Sequence, residues 1–347
     1  MKFDFVIGNP PYQEETDSES TRMPPVYNLF MDEAYKIADK VEMITPARFL
    51  FNAGYTPKVW NEKMLNDPHF KIEHYEPISA TMFANTDIKG GVVISYRDVD
   101  RIFGAIGIFT KYPELNSIIN SVKAKCNHWL DEIISSPLSF QLSKSGVEVM
   151  RQLRPETYSN PEKPETPRLR SSAFTNLADI CFVEKPTDGE EYICLFGLYE
   201  NKRTTRYIKQ DYINDISGTL HSYTVLMPKA SGIGQFGEPT GPTVIAEPGM
   251  GYTQTFIGIG KCETEEEAKN IQIYIKTKFA RALLGVLKIT QDCPGPKWKY
   301  VPLQDFTPTS DIDWSKTITE IDQQLYRKYG LSQEGIEFIE SHVKEME

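Results

Sequence analysis

The sequence predicts an α/β protein in two parts, a mostly parallel sheet followed by a second, mixed α/β domain. Over the first hundred residues, short apolar runs typical of strands alternate with stretches of helical periodicity, a pattern that predicts a parallel sheet covered on both faces. Farther along, the segments become short and turn-bounded, and Gly, Pro, Thr and Tyr become frequent. A length of 347 residues allows two domains, each with its own core.

Four strands and one helix are predicted in the first part. Residues 3–7 have the pattern of a buried strand, which must end at the two successive prolines that follow it. A polar loop over residues 13–25 precedes a helix over residues 26–40. Three further strands are predicted over residues 41–45, 70–75 and 91–96. The predicted helix has one apolar face, formed by Leu29, Phe30, Ala34 and Ile37.

The second part is predicted to follow a bridging helix over residues 114–125. Residues 155–167 contain four prolines among charged residues and predict an extended surface loop. Residues 263–287 predict a single helix, because acidic residues occupy its first turn. The acidic tail, residues 311–347, is helical by pattern and is expected to form a peripheral cap.

The composition excludes several classes of protein. The chain has 38 Lys and Arg against 48 Asp and Glu, a net charge of -10, which excludes a uniformly basic chromatin protein but allows a local basic face. Its 5 cysteines and 5 histidines are scattered, so neither a disulfide framework nor a metal site is predicted. Every apolar run is shorter than the roughly 18 residues of a membrane span. With no recognisable signal peptide, the chain is expected in the cytoplasm.

Asn9, Pro10, Pro11 and Tyr12 form the motif with the clearest chemical meaning. They follow the first strand, and ligands of open α/β sheets bind at the carboxyl ends of strands. The side-chain carbonyl of Asn9 and the backbone carbonyl of Pro10 are two acceptors for one planar amino group, and they favour electron density on its nitrogen. The amine is then prepared to attack an electrophilic methyl group while its ring stacks on Tyr12. A proline-rich turn with a satisfied asparagine is the structural alternative.

The motif and its surroundings resemble the TaqI-like, gamma-class adenine-N6 DNA methyltransferases, especially the large methylases of restriction-modification systems. The resemblance implies a partial Rossmann-like methyltransferase sheet within a catalytic part, residues 1–127, and a target-recognition domain, residues 128–347, with a helical cap at its carboxyl end. It covers nearly the whole chain and rests on segments in the family's order, namely residues 3–12, 27–30, 43–50, 81–83 and 87–92.

The same resemblance implies roles for individual residues. The methyl donor would be S-adenosylmethionine, with Phe30 and Asn9 beside it, and the target adenine of double-stranded DNA would be flipped out of the stack. Tyr12 and Phe83 would hold the flipped base between their rings, and methyl transfer would be a direct displacement with no covalent enzyme intermediate. For both Phe83 and Phe30, an ordinary place in the hydrophobic core is the alternative.

The chain departs from the family at the cofactor site. The glycine-rich motif that holds S-adenosylmethionine should precede Asn9, but only eight residues do. Residues 256–260 are a weak substitute, since no second small residue follows to let the backbone approach a ligand. We therefore expect a carboxyl-terminal portion of a methyltransferase, completed by an amino-terminal half or a partner polypeptide and inactive alone.

The second part is expected to read DNA through basic residues that contact phosphates. Solvated surface charges are the alternative for each of them. The glycine-rich segment, residues 231–241, is either a loop that enters a groove or a mobile connector. The predicted DNA-binding residues are Arg168, Arg170, Lys202, Arg203, Arg206, Lys297 and Lys299, with a further basic group formed by Lys276, Lys278, Arg281 and Lys288.

Four other functions fit parts of the sequence, and two of them are disfavoured. The same tetrapeptide serves cytosine-N4 methylation and the methylation of glutamine amides in proteins, but the long second part disfavours a protein-glutamine methylase. A non-catalytic DNA specificity module that needs a partner subunit is an alternative from another class. A nuclease is disfavoured, since no carboxylates cluster with a lysine at the end of a strand pair.

Overall fold

The computed structural model describes residues 2–14, 24–51, 55–86, 88, 90–158, 167–288 and 290–346. The chain divides into two compact units, Met1–Asn116 and Ser117–Glu347. Each unit contains both helices and strands, which confirms the predicted α/β class. No helix in these ranges combines the length and the apolar character that a membrane crossing requires.

The first unit contains a four-stranded sheet in the order β1-β2-β4-β3. β1 and β2 are parallel, and β4 is antiparallel to both β2 and β3. A 3-10 helix, Ala47–Phe51, follows β2 directly. The elements are β1 (Phe3–Gly8), α1 (Tyr27–Ile37), β2 (Ala38–Pro46), α2 (Lys58–Asn66), β3 (Phe70–Glu76), α3 (Ser79–Met82) and β4 (Val92–Asp98), and α4 (Pro113–Lys123) spans the boundary to the second unit.

The prediction of a mostly parallel sheet was wrong for β4. A parallel β3–β4 pair would need a crossover as long as the strand, about 23 Å for seven residues. α3 has only 4 residues, about 6 Å of helix. The chain instead turns back at Gly90 and Gly91, both with positive φ. A Cβ on Gly91 would lie 2.4 Å from the carbonyl oxygen of Glu76, so the turn requires glycine here.

α1 and α2 cover one face of this sheet. α1 ends three residues earlier than predicted, at Ile37, because β2 begins at Ala38. The predicted packing face was also wrong, since Leu29, Phe30 and Ile37 are exposed. α1 carries apolar residues on two sides, and periodicity alone did not show which side packs. The core contains Tyr27, Met31 and Ala34 of α1 together with Val41, Met43, Phe49, Trp60, Met64, Phe70 and Val93.

Among the described residues, β1 is covered on one face only, whereas the sequence predicted a strand covered on both faces. Val6 packs against the core, and side chains alternate along a strand, so Phe3, Phe5 and Ile7 face the opposite side. These three are exposed, Ile7 to 72%. The Phe5 ring stacks on Tyr96, with 6.2 Å between the ring centroids.

The described part of the second unit contains three sheets. An antiparallel sheet has the order β11-β10-β13-β5, a second sheet the order β12-β7-β8, and β6 pairs with β9. Three 3-10 helices, Leu130–Ile133, Gln210–Tyr212 and Gly295–Trp298, connect elements. The strands are β5 (Ile134–Ser135), β6 (Phe140–Leu142), β7 (Tyr192–Tyr199), β8 (Lys202–Lys209), β9 (Ile213–Asp215), β10 (Tyr223–Pro228), β11 (Val244–Ala246), β12 (Met250–Tyr252) and β13 (Phe256–Cys262).

Seven α-helices complete the second unit as far as its residues are described. They are α5 (Lys144–Leu153), α6 (Pro155–Tyr158), α7 (Ala173–Asn176), α8 (Glu265–Tyr274), α9 (Lys278–Leu284), α10 (Ile318–Tyr329) and α11 (Gln333–His342). The proline-rich segment begins with α6, and its residues 159–166 lie outside the described residues, as do residues 15–23 of the predicted polar loop.

Two predictions for the carboxyl-terminal helices need correction. The single helix predicted over residues 263–287 is two helices, because the Thr277 side chain accepts a hydrogen bond from the Ala280 amide and so starts α9. The tail is helical as predicted but not peripheral. Ile321, Leu325 and Ile339 are fully buried, so α10 and α11 belong to the core of this unit.

Candidate functional site

The Asn9–Tyr12 motif begins one residue beyond β1, at the carboxyl end of the strand. Asn9 and Pro11 are exposed, and Pro10 and Tyr12 are half-buried. Within the described residues, no hydrogen bond reaches the carbonyl oxygen of Pro10. The motif therefore combines an exposed asparagine with a backbone carbonyl that has no hydrogen-bond partner among the described residues, two acceptors of the kind that one amino group requires.

The backbone holds this motif against neighbouring elements. The Val26 amide donates a hydrogen bond of 3.2 Å to the Tyr12 carbonyl oxygen, which joins the motif to the start of α1. On the other side, Gly8 pairs with Met43 of β2, and a Cβ on Gly8 would lie 3.3 Å from the Met43 sulfur. The turn is thus fixed by β2 and by α1.

The Tyr12 hydroxyl is buried and has no hydrogen-bond partner of normal geometry among the described residues. Burial raises the pKa of this phenol, and the nearby Asn9 side chain offsets part of the rise. The phenol is therefore neutral at physiological pH and is not poised to act as a base.

Besides Nε1 of Trp60 on α2, two further polar atoms in this unit are buried without a partner among the described residues. They are Oδ1 of Asn28, in the first turn of α1, and Oγ1 of Thr45, near the end of β2. A buried polar group without a hydrogen bond costs about 1–3 kcal/mol. Because β1 and β2 are parallel, Thr45 lies toward the same edge of the sheet as Asn9. Sequence reasoning missed both residues, although each lies in a segment that carried the family resemblance.

The predicted aromatic residues occupy different settings. Phe30 is 47% exposed on α1, so the alternative that it is a core residue is wrong. Phe83 is half-buried just after α3, where its amide donates to the Ser79 carbonyl and its own carbonyl accepts from the Thr86 hydroxyl. Among the described residues, no ring contact joins Phe83 to Tyr12. Asp87 and Lys89, in the segment beyond Phe83, lie outside the described residues.

The predicted basic cluster on β8 is divided between the two faces of the strand. Arg206 lies 5.1 Å from the ring centroid of Tyr199 and 5.8 Å from that of buried Phe174. Arg203 points the other way, donates a hydrogen bond of 2.9 Å to the Pro242 carbonyl, and lies over the Phe256 ring. Arg203 and Arg206 are three positions apart, an odd number. Because successive side chains of a strand point to opposite faces, the two arginines lie on opposite faces of β8.

The remaining predicted DNA-binding residues are dispersed over the second unit. Arg168 and Arg170 are exposed, and Arg168 forms a backbone bridge with Gln141 of β6. Lys299 is exposed and Lys297 is half-buried, on either side of the fully buried Trp298.

The sequence predicted that the further basic group around α9 faces DNA, and this prediction was wrong. Lys278 pairs with Glu340 at 2.6 Å, Arg281 is 2% exposed, and Lys288 forms a buried ion pair with Glu238. These side chains hold α9, α11 and the segment around Glu238 together. Burial lowers the pKa of Arg281 to about 10 and raises the pKa of Asp322, which faces it, to about 6.

Comparison with models of known protein families gives a match that lies within the first unit. Residues 1–79 match the model of the Eco57I restriction-modification methylase family. This match connects the segment containing Asn9, Phe30 and Thr45 with the methylases of restriction-modification systems, which transfer methyl groups to DNA. No curated protein matches the chain.

One solved structure with detectable similarity is that of the Type IIL restriction-modification enzyme MmeI in complex with DNA. The alignment has 9% sequence identity and a TM-score of 0.35, and it covers 97% of this chain and 56% of that chain. The chain thus spans about half the length of that enzyme. At this TM-score the likeness is too distant to transfer any feature of MmeI to this chain.

Proposed function

We propose that this chain carries the catalytic residues of a DNA methyltransferase that modifies the N6 amino group of adenine in double-stranded DNA, as part of a restriction-modification system. The observation that carries the proposal is the exposed Asn9 side chain beside a free Pro10 carbonyl. This pair of acceptors lies at the carboxyl end of a strand, within the segment that matches restriction-modification methylases.

The proposed chemistry follows from those two acceptors. Asn9 Oδ1 and the Pro10 carbonyl accept the two hydrogens of the amine, which orients its lone pair and increases its electron density. The nitrogen forms the new bond to carbon as the donor's sulfur–carbon bond breaks, and the extra proton on nitrogen passes to solvent. Because that amine is unreachable inside a duplex, the base must first be extruded. Tyr12 and Phe83 then support the base ring.

The residues around the motif fit S-adenosylmethionine, which supplies an electrophilic methyl group when bound. The exposed Phe30 ring offers an apolar surface for a purine. Asn9 lies at the carboxyl end of β1, toward which Thr45 also lies. The unpartnered oxygens of Asn28 and Thr45 are polar groups that a ligand with donors and acceptors would satisfy. We assign cofactor contacts to these four residues.

We further propose that a second polypeptide segment, which carries the glycine-rich cofactor motif, pairs with the open side of β1. β1 forms its ladder with β2 on one side only among the described residues, so the backbone groups along its other edge are open to pairing with another strand. Phe3, Phe5 and Ile7 form an exposed apolar row beside that edge. A strand added there would create the crevice at the end of β1 in which ligands of such sheets bind.

The second unit is proposed to bind DNA. Arg168, Arg170, Lys202, Arg203 and Lys299 are exposed and Lys297 is half-buried, and we propose that these cations contact phosphates. Arg206 has a different role, because it packs on Tyr199 and Phe174. We expect it to position β8.

The proposal is tested with the tagged chain, purified from its native host together with the proteins that accompany it. The preparation is incubated with S-adenosylmethionine and mixed genomic DNA, and the nucleosides are analysed by mass spectrometry. We expect N6-methyladenine. N4-methylcytosine would replace the adenine assignment by the cytosine alternative, and DNA binding without any methylated nucleoside would favour a non-catalytic specificity module.

The need for a partner is tested separately with the isolated chain. Calorimetric titration with S-adenosylmethionine should show weak binding and no methyl transfer to DNA. Micromolar binding with turnover would refute this part of the proposal. Ile7→Ser, at a side chain 72% exposed, should leave the folding of the chain unchanged but reduce recovery of the accompanying protein. Val59→Ser, at a side chain 78% exposed on α2, is the matched control.

A further inference from the structure

A glycine-rich loop of the second unit presents one apolar side chain to solvent. This tip loop, residues 231–241, closes on itself, since a Cβ on Gly241 would lie 3.1 Å from the Ser231 side chain. Ile233 is 81% exposed at its tip. The flanking Gly232 and Gly234 have φ of 70° and 85°, values that let the backbone turn sharply on both sides of the isoleucine.

The tip is braced from inside the protein. The Glu238 carboxylate accepts hydrogen bonds of 2.9 Å from the amides of Ile233 and Gly234. The same carboxylate pairs with Lys288, and both side chains are buried. Removing this pair of charges from water costs free energy. Because the buried pair holds the backbone of the tip in place, we infer that the conformation of the tip serves a function.

A second brace holds the other end of the tip loop. The Gly237 carbonyl accepts hydrogen bonds from the Arg281 guanidinium at 3.2 Å and from the Lys344 amide at 3.1 Å. Gly237 approaches the carbonyl oxygen of His342 so closely that a Cβ would lie 2.4 Å away. Ile233 therefore protrudes from a loop that hydrogen bonds hold at both ends.

Positive charge lies at the base of the tip loop. Arg203, exposed on β8, donates its hydrogen bond to the carbonyl of Pro242, the residue that follows the loop. Lys202 projects from the opposite face of β8, and the charge of Glu238 is balanced by Lys288. An anionic partner is thus favoured beside the isoleucine.

We propose that Ile233 is a wedge that inserts into the DNA duplex bound by the second unit. This inference rests on the proposed function, since it requires DNA as the partner. A protein partner is disfavoured because a standard interface buries about 800 Å² on each side, far more than one isoleucine. Insertion between base steps needs only one apolar side chain, and such wedges unstack the bases that they separate.

The test compares two fluorescent 30-base-pair duplexes of the same randomised sequence, one intact and one with a single abasic site. The space at an abasic site removes the cost of unstacking, so the full chain should bind the abasic duplex several-fold more tightly. Ile233→Ala should lose this preference, and Ile233→Leu should retain it. Ile216→Ala, at a side chain 60% exposed elsewhere in the unit, is the matched control and should behave as wild type.

Each outcome has a distinct meaning. Equal preference for the abasic duplex in wild type and Ile233→Ala, with DNA binding intact, would overturn the wedge and leave the proposed function standing. Wild-type protein that binds neither duplex would contradict the proposed function itself. Loss of preference in both Ile233→Ala and Ile216→Ala would also overturn the wedge, because the effect would not be specific to the tip loop.

Discussion

The carbonyl oxygen of Tyr12 accepts a hydrogen bond of 3.2 Å from the amide of Val26, directly before α1. This bond fixes the position of the motif relative to the helix that carries Asn28 and Phe30. Tyr12, which is proposed to hold the target base, is therefore joined by a backbone hydrogen bond to the start of the helix whose residues are proposed to hold the cofactor, although a loop separates them in sequence.

Thr45→Val tests whether the Thr45 hydroxyl is kept for a ligand. The hydroxyl is fully buried without a partner, so its removal should leave the chain equally stable or stabilise it by about 1 kcal/mol in urea unfolding. Thr56→Val is the matched control, because that hydroxyl donates to Asn61 at 2.7 Å and its loss should cost about 1–3 kcal/mol. Equal destabilisation of both variants would show that Thr45 has a structural partner.

Gly91→Ala and Gly104→Ala test the turn that reverses the chain into β4. Both glycines have positive φ, so alanine is strained at each by about 1–2 kcal/mol. Only Gly91 would also place a Cβ against backbone, whereas nothing lies within 4 Å at Gly104. We expect Gly91→Ala to lower the free energy of unfolding by a further 1–3 kcal/mol or so. Similar losses in thermal or urea unfolding would argue against the close approach.

Lys202→Ala with Arg203→Ala tests the DNA surface of β8. The double variant should weaken duplex binding and reduce the slope of log K against log salt by up to about 2, since each phosphate contact contributes roughly 0.9. Lys316→Ala, which removes an exposed charge paired with Asp313 at 3.6 Å, should leave the slope unchanged. A wild-type slope in the double variant would remove these residues from the interface.

Asp322 gives the stability of the second unit a predictable dependence on pH. Burial raises the pKa of its carboxyl group from 3.8 to about 6, so the folded state favours the protonated acid. The resulting stabilisation is complete below pH 4 and is lost as pH rises through 6, a change of up to about 3 kcal/mol. Asp322→Asn should flatten this part of the curve in urea unfolding at pH 4 to 7.5. An unaltered pH profile in the variant would contradict the assignment.

The sequence predicted the features that depend on local pattern. The strand before Asn9 and its end at the prolines follow from an apolar run and from ring chemistry, and both are present. The packing face of α1 did not follow, because Leu29 and Phe30 are as apolar as the residues that are buried. Lys288 was misread for a related reason, since its partner Glu238 is 50 residues distant and only the folded chain brings them together.

The most direct test of the central claim is methyl transfer by Asn9→Ala in the preparation purified from the native host. The variant should lose about 100- to 1,000-fold in kcat, the usual cost of removing one group that stabilises the transition state. Gln13→Ala, at an exposed neighbour of the motif, should methylate at the wild-type rate. Methylation of adenine by Asn9→Ala at the wild-type rate would contradict the claim that Asn9 binds the reacting amine.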